Sequence, residues 1–194
     1  MLELFLELKL LADVGIIGFP NAGKSTLISR ISNARPKIAG YPFTTLVPNL
    51  GIVKLEEGES FVAADIPGLI EGAHEGKGLG HQFLRHIERT RLLLHLIDFS
   101  DVEPESILDR YHKLQIELKA FNEDLFWKPQ IIVATKLDDL QSVRNLEKIR
   151  SKMSKLNPLL FEISSVTGEG IEKLLWKIKE CLATEEPKGL EMAD

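Results

Sequence analysis

The sequence has a single cysteine, no excess of positive charge and no long hydrophobic run. Cys181 alone can form neither an internal disulfide nor a cysteine-based metal site, which predicts a reducing, cytoplasmic setting. The net charge of −5 argues against a broad electrostatic hold on nucleic acid or anionic lipid. No apolar run reaches the roughly 18–20 residues of a membrane span. Glu3, Glu7 and Lys9 interrupt the apolar opening at residues 1–11, so it does not resemble a signal peptide. We therefore expect a cytoplasmic protein that contacts neither membrane nor DNA.

What the sequence does contain is an alternation of apolar strands and amphipathic helices, typical of a mostly parallel sheet with helices on both faces. The predicted strands are Asp13–Gly18, Leu50–Lys54, Phe61–Asp65, Leu92–Asp98, Ile131–Thr135 and Leu159–Ile163, and the clearest helices are Lys24–Ser32, Pro104–Asn122, Gln141–Leu156 and Ile171–Leu182. The turn at 56–60 makes the second and third strands an antiparallel hairpin. The fold class is therefore α/β, with a six-stranded, mostly parallel sheet that has one antiparallel strand. We expect one domain over residues 12–183, a lead-in or linker remnant at 1–11 and a disordered acidic tail at 184–194.

The strongest motif lies between the first strand and the first helix and matches the pattern G-x-x-x-x-G-K-[ST]. Its residues and the threonine after them are Gly18, Phe19, Pro20, Asn21, Ala22, Gly23, Lys24, Ser25 and Thr26. The glycines let backbone N–H groups curl around phosphate oxygens, Lys24 reaches the outer phosphates and the Ser25 hydroxyl binds Mg²⁺. The N-terminus of the following helix points at the same anion. The plain alternative is a glycine turn that only joins a strand to a helix. The strand and helix context favours a P-loop that binds a nucleoside triphosphate.

A second motif, Thr135-Lys136-Leu137-Asp138, ends a buried strand and predicts which base is bound. In GTPases this position reads [NT]-K-x-D, and the carboxylate accepts hydrogen bonds from guanine N1–H and the 2-amino group. Adenine lacks that pair of donors, so Asp138 argues against an ATPase. Lys136 is expected to lie along the plane of the base. A solvated loop of charges at a strand end remains the alternative reading. After the last strand, Ser164, Ser165 and Val166 are candidates to offer a backbone N–H to guanine O6, a weak signal alone.

The remaining candidates lie in or beside two long loops, at 33–49 and 66–80. Asp65 ends a strand and is expected to hold Mg²⁺ through water, while the Gly68 N–H bonds the γ-phosphate. Thr45 is the first candidate for closing over the γ-phosphate and Mg²⁺, with Thr44 second and a plain surface threonine as the alternative. The predicted metal ligands are therefore Ser25, Thr45 and Asp65.

These motifs together resemble the G domain of the Obg family of GTPases over about residues 8–183. The residues that carry the resemblance are GFPNAGKSTL at 18–27, SNARPKIAGYPFTTLVPNLG at 32–51 and DIPGLIEGAHEGKGLGHQFLRHIERTRLLLHLID at 65–98. The resemblance implies a Ras-like fold, GTP and GDP as ligands, Mg²⁺ as cofactor, switch loops at 33–49 and 65–80, and a role in ribosome assembly and stress responses. The full-length protein would have a ribosomal subunit or assembly factors as partners.

The chain also departs from the family. The glycine-rich domain that precedes the Obg G domain is not matched, so we expect an isolated, monomeric G domain. Thr135 stands where asparagine is commoner, which we expect to tie the P-loop less firmly, and Ser165 stands where alanine is commoner.

Catalysis is expected to be slow and to depend on Asn21, Lys24, Thr45 and Gly68. The residue after Asp65-Ile66-Pro67-Gly68 is Leu69, which cannot orient water as the glutamine of Ras-like enzymes does. Asn21 resembles the asparagine of potassium-dependent GTPases, where it helps hold K⁺ against the phosphates; its alternative role is to brace the loop. The chain is thus a slow GTPase or, alternatively, a nucleotide-sensing docking module with incidental hydrolysis.

Two histidines, His74 and His81, lie in or beside the second loop, where they could position water or a partner, although a solvated loop role is the simpler reading. His95, within an apolar strand, is expected to be structural.

Overall fold

The computed structural model describes residues 12–32, 37–38, 49–55, 58–65, 90–100 and 103–184. Its strands are β1 (Val14–Gly18), β2 (Lys37–Ile38), β3 (Asn49–Lys54), β4 (Ser60–Asp65), β5 (Leu92–Asp98), β6 (Gln130–Thr135) and β7 (Leu160–Glu162). Its helices are α1 (Lys24–Ile31), α2 (Pro104–Phe121), α3 (Glu123–Trp127), α4 (Leu140–Leu156) and α5 (Ile171–Thr184). The strands form one sheet in the order β2-β3-β4-β1-β5-β6-β7.

The direction of the strands confirms the predicted α/β class. β1 lies parallel to both β4 and β5, and β6 and β7 continue the parallel set. β3 pairs antiparallel with β4, as the hairpin prediction requires. β1 lies between β4 and β5 in the sheet, with the earlier strands on one side and the later strands on the other, so the strand order reverses at β1. In open α/β sheets, ligands bind beyond the carboxyl ends of the strands at such a reversal.

The described sheet has seven strands where the sequence predicts six. The additional strand, β2, falls within the segment predicted to be a loop and pairs antiparallel with β3 through Lys37 and Ile38. Two residues are too few to show a strand period, so pairing with β3 rather than sequence pattern defines this strand. Short α3 was also not predicted; it begins where the Asn122 side chain accepts a hydrogen bond from the Asp124 N–H at 2.9 Å. Helix α5 extends to Thr184, the first residue of the predicted tail.

Helices cover both faces of the sheet, which explains the continuous apolar runs in its central strands. One face packs Val14 and Ile16 against α1 and α5. The opposite face packs Ile17 against α2, and Ile132 against α4. Among the described helices, none is long and apolar enough to cross a membrane. The rigid two-sided core therefore holds the carboxyl ends of β1, β4, β5 and β6 in fixed positions beside one another.

Candidate nucleotide-binding site

The glycine-rich loop follows β1 directly and bends sharply into α1. Gly18 has φ +149, and a Cβ there would lie 2.3 Å from the Leu96 carbonyl oxygen on β5, so only glycine fits. Gly23 caps α1 with φ 89, and Asn21 has φ 63, a left-handed conformation that asparagine tolerates. The loop closes through the Ala22 N–H, which donates to the Phe19 carbonyl at 3.2 Å. Glycines and a left-handed asparagine therefore turn the backbone of this loop just before the N-terminus of a helix.

Lys24 lies in the first turn of α1 and folds back over the loop. Its ammonium donates to the carbonyl oxygens of Gly18 at 2.9 Å and Phe19 at 3.1 Å. Burial lowers the pKa of Lys24, an effect that the negative charge of nearby Asp65 partly opposes. The side chain thus spans the loop as a cation that is short of water, a setting in which a phosphate would be strongly attracted. Thr26 is exposed one residue after Ser25 in the same turn.

Ser25 and Asp65 meet where α1 begins and β4 ends. The Ser25 hydroxyl donates to Asp65 Oδ2 at 2.7 Å, while Asp65 Oδ1 is buried without a hydrogen-bond partner. The described residues contain no group of three or more His, Cys, Asp or Glu able to hold a metal by themselves. Mg²⁺ does not require one, because it usually takes one or two protein oxygens and completes its shell with phosphate and water. The hydroxyl and the carboxylate, with one carboxylate oxygen unsatisfied, fit such an ion.

The predicted base-binding residues lie across the same edge, beyond β6 and β7. Asp138 Oδ1 accepts a hydrogen bond at 2.7 Å from the Ser164 hydroxyl, which is fully buried. That hydroxyl in turn accepts from the Thr167 N–H at 3.1 Å, so its own direction is fixed. Val166 is 71% exposed, whereas the Ser165 hydroxyl is buried without a partner. The carboxylate expected to read the base is therefore oriented before any ligand arrives.

Lys136 is held by a partner that the sequence analysis missed. Its ammonium lies 2.5 Å from Oδ2 of Asp98, the last residue of β5. Asp98 Oδ1 accepts hydrogen bonds from the Ser100 N–H at 2.8 Å and the Ser100 hydroxyl at 2.7 Å. Burial by itself would raise the pKa of Asp98, but the hydrogen bonds from Lys136 and Ser100 outweigh it and hold the pKa below its usual value. The sequence signal that could have indicated this partner was Asp98 itself, a carboxylate at the end of an apolar strand.

Thr135 connects the two halves of the site. Its hydroxyl is buried and lies 3.0 Å from the Ala22 carbonyl in the glycine-rich loop and 3.1 Å from the Ile97 carbonyl on β5. The Thr135 side chain therefore contacts the glycine-rich loop, which we expected threonine to tie less firmly than the commoner asparagine does. We call residues 18–26 with Asp65 the phosphate half of the candidate site, and residues 135–138 with 164–166 its base half. The Thr135 side chain joins the two halves directly.

Some predicted residues cannot be placed in this geometry. Thr44, Thr45, Gly68, Leu69, His74 and His81 lie outside the described residues. His95 is fully buried on β5, and its ring stacks with Tyr111 at 5.5 Å between centroids. Burial lowers the pKa of His95 to about 3, so the imidazole is neutral and sits in the core under the site.

Comparison with known proteins identifies the family of the chain. The family model described as 50S ribosome-binding GTPase matches residues 13–136. The GTPase Obg of Solibacter usitatus is 60% identical over 172 residues, which cover 89% of this chain and 51% of that protein. The GTPase Obg of Ruminiclostridium cellulolyticum is 51% identical over 182 residues, covering 94% and 43% of the two chains. The chain thus spans about half the length of the curated relatives it matches.

Solved structures show the same fold. Era in complex with MgGDPNP and nucleotides 1506–1542 of 16S ribosomal RNA is 26% identical, with a TM-score of 0.65 over 93% of this chain and 59% of that one. The G domain of the T. maritima FeoB iron transporter, at 23% identity and a TM-score of 0.62, covers 87% of this chain and 96% of that one, and shows the fold alone. Fold, motifs and sequence similarity agree: the chain belongs to the 50S ribosome-binding GTPase family and is a G domain of the Obg type.

Proposed function

We propose that this chain binds GDP and GTP together with Mg²⁺ and hydrolyses GTP slowly. The observation that carries the proposal is the convergence of three kinds of group on one sheet edge. Lys24 and the glycine-rich loop suit phosphates, Ser25 and Asp65 suit a hard divalent cation, and Asp138 suits the guanine edge. The Thr135 contact with Ala22 holds the base half and the phosphate half together.

Guanine is favoured over adenine by the chemistry of Asp138. A carboxylate only accepts hydrogen bonds, and guanine presents N1–H and a 2-amino group side by side. Adenine presents an unprotonated N1 at the same edge, which would face the carboxylate without a donor between them. A polar site left unpaired in this way rejects the wrong ligand strongly. The Ser164 hydroxyl supports this role because it fixes the carboxylate at 2.7 Å.

Ser25 and Asp65, joined by Thr45 from the first long loop, are proposed to hold the Mg²⁺. When bound, the ion neutralises phosphate charge that builds up during phosphoryl transfer. Lys24 adds a fixed positive charge from the protein, already turned towards the loop by the Gly18 and Phe19 carbonyls. The Gly68 N–H is proposed to contact the γ-phosphate.

We expect hydrolysis to be slow because Leu69 offers no hydrogen bond to the attacking water. The expected unassisted rate is on the order of 10⁻³ s⁻¹ or lower, as in Ras-like enzymes without their partners. Asn21 is proposed to help hold K⁺ against the phosphates. Its side chain is exposed at the turn of the loop, and its φ of 63 sets it apart from the helical residues that follow.

For the whole protein, we propose a role in ribosome assembly in the cytoplasm, with a ribosomal subunit or assembly factors as partners. The description of the matched family and the ribosomal RNA bound to Era support this proposal. Residues 12–183 are proposed to fold as one monomeric G domain.

Titration of fluorescent GDP and a non-hydrolysable GTP analogue in Mg²⁺, with ATP as competitor, tests the central proposal. We expect micromolar or tighter guanine binding that excess ATP does not displace. ATP binding as strong as GTP binding would overturn the assignment of Asp138. Single-turnover hydrolysis in KCl and in NaCl then tests the slow rate and the role of Asn21. A rate above about 1 s⁻¹ without a partner contradicts the first, and equal rates in both salts contradict the second.

A further inference from the structure

The Asp98–Lys136 ion pair is held more tightly than an ordinary surface pair. The Asp98 side chain is 13% exposed and that of Lys136 is 40% exposed. Both Asp98 oxygens are engaged, Oδ1 by two hydrogen bonds from Ser100 and Oδ2 by the lysine. Exposed pairs gain little from one contact, whereas this pair combines partial burial with a carboxylate that cannot rotate freely.

The scaffold around the pair is also fixed on both sides. Asn145, fully buried on α4, donates to the Phe99 carbonyl at 2.9 Å, immediately after Asp98. On the other side, Lys136 has φ 62, a conformation that few residues other than glycine adopt. The Lys136 carbonyl accepts from the Asp139 N–H at 3.0 Å, which closes the turn that presents Asp138. Strained backbone of this kind persists where the surroundings impose it, and it is common at binding sites.

Besides Asp98, the turn that begins at Lys136 carries two carboxylates, Asp138 and Asp139. Asp139 caps α4 by accepting from the Gln141 N–H at 2.9 Å, whereas the Asp138 oxygens are the ones proposed to bind the base. A lysine side chain has several rotatable bonds and loses considerable rotamer entropy when it is fixed. If the ammonium paired with Asp138, guanine would have to displace it before binding. In the structure the ammonium is paired with Asp98 instead.

We propose that Asp98 is a positioning residue for base recognition, holding Lys136 away from Asp138 so that the Asp138 carboxylate stays available to guanine. This inference rests on the proposed guanine binding. Asp98 is not proposed to contact the nucleotide and acts through Lys136. Its effect therefore falls on the groups of the base that Asp138 reads, not equally on every part of the nucleotide.

A double-mutant cycle with two nucleotides tests this role. The variants are Asp98→Asn, Lys136→Met and the double variant, and the ligands are GDP and inosine diphosphate, which lacks the 2-amino group. We expect Asp98→Asn to weaken GDP binding about tenfold, within the range of coupling between contacting groups, and to narrow the preference for GDP over inosine diphosphate. In the Lys136→Met background, where no ammonium is left to divert, the Asp98 change should cost less than about twofold.

The result that overturns the inference is additivity. Two outcomes would show that Asp98 supports only the fold. One is that Asp98→Asn reduces GDP affinity by the same factor with and without Lys136, and the other is that it leaves the ratio of GDP to inosine diphosphate affinity unchanged. If the wild-type chain binds no GDP, the proposed function fails first and this inference falls with it.

Controls separate folding from positioning. Glu180→Gln removes the Lys177–Glu180 ion pair within α5 and should leave both affinities within about twofold. Should Asp98→Asn not fold, Ser100→Ala removes one of the two hydrogen bonds to Oδ1. Ser100→Ala should lower the ratio of GDP to inosine diphosphate affinity by a smaller factor, and this effect should disappear in the Lys136→Met background. If Ser100→Ala has the melting temperature of wild type and the same ratio of GDP to inosine diphosphate affinity, the inference is also overturned.

Discussion

The base half and the phosphate half of the site differ in how completely the protein satisfies their polar groups. In the base half, Asp138 is bonded by Ser164, and Lys136 by Asp98. In the phosphate half, Asp65 Oδ1 has no partner among the described residues, and the Lys24 ammonium donates to backbone carbonyls of its own loop. The two charged side chains of the base half therefore each have a side-chain partner without a ligand, whereas one carboxylate oxygen of the phosphate half has none within the described part of the chain.

This difference indicates where ligand binding supplies stability. Pre-oriented groups lose little entropy on binding, so the base half contributes selectivity at small cost. Buried groups without partners carry a desolvation penalty that a matching ligand removes. We therefore expect changes in the base half to alter which nucleotide binds, and changes in the phosphate half to alter how strongly metal and phosphate bind.

The largest expected effect comes from reversing one hydrogen bond at Asp138. In Asp138→Asn, the amide offers one acceptor and one donor, which suits xanthine, whose 2-position has an oxygen in place of the amino group. We expect GDP affinity to fall at least about a hundredfold and xanthosine diphosphate affinity to rise, because the unpaired amino group is strongly disfavoured. Calorimetric titration of both nucleotides measures the switch. Asp139→Asn is the neighbouring control, since Asp139 caps α4; its nucleotide preference should match wild type. If Asp138→Asn weakened both nucleotides equally, the base half would not be the selective half.

The second effect concerns β5, the strand that lies between the two halves. His95 on β5 has a pKa of about 3 in the folded protein, lowered by burial from its ordinary 6.5. The unfolded chain therefore takes up a proton first as the pH falls, so folding stability is full above about pH 6.5 and is lost towards pH 3. Each pH unit in that window costs up to about 1.4 kcal/mol, and the loss between pH 6.5 and 5 is about 1.6 kcal/mol.

His95→Phe removes this proton uptake and keeps a ring to stack on Tyr111. We expect the urea-unfolding free energy of the variant to fall less than that of wild type between pH 6.5 and 5. His112→Gln, at an exposed position on α2, should retain the wild-type slope. Equal slopes in His95→Phe and wild type would mean that the imidazole does not carry the acid sensitivity.

The third effect tests the unsatisfied carboxylate in the phosphate half. Mg²⁺ should tighten binding of a GTP analogue about tenfold in wild type, and that gain should be lost in Asp65→Asn, because a neutral amide is a poor ligand for Mg²⁺. The amide oxygen can still accept from Ser25, and the buried charge is removed. The nucleotide-free variant should therefore be no less stable than wild type. The measurement is the affinity for the GTP analogue with Mg²⁺ and with a chelator. If Mg²⁺ still tightened binding to Asp65→Asn about tenfold, Asp65 would not be a ligand of the ion.

The sequence predicted the sheet and located the two motifs because the signals of both are local. A glycine-rich turn between a strand and a helix fixes the loop around Gly18 and Lys24, and a strand-end motif marks Asp138. The two-residue strand β2 was missed because its only definition is its pairing with β3. Local pattern therefore locates the motifs, and the sheet places them at a common edge.

The partners of the motif residues were not predictable in the same way. Asp98 and Lys136 are 38 residues apart, and Ser164 and Asp138 are 26 apart. Whether such side chains meet depends on strand order and on the register that pairs Asp98 with Thr135. Neither quantity can be read from spacing along the chain. Residues 164–166 were expected to contribute backbone N–H groups, whereas in the structure the Ser164 side chain donates to Asp138.

The smallest expected effects come from substituting two adjacent serines in the base half, Ser164 and Ser165. The Ser164 hydroxyl is bonded to Asp138 and Thr167, whereas the Ser165 hydroxyl is buried without a partner. Ser165→Ala removes an unsatisfied buried group, so we expect the unfolding free energy to rise by about 1 kcal/mol with GDP affinity within about twofold of wild type. Ser164→Ala removes a satisfied group and frees the carboxylate, so it should lower stability by a similar amount and weaken GDP binding. Urea unfolding and GDP titration of both variants suffice. Loss of stability in Ser165→Ala would show that its hydroxyl has a partner, and equal GDP affinities in the two variants would remove Ser164 from the orientation of Asp138.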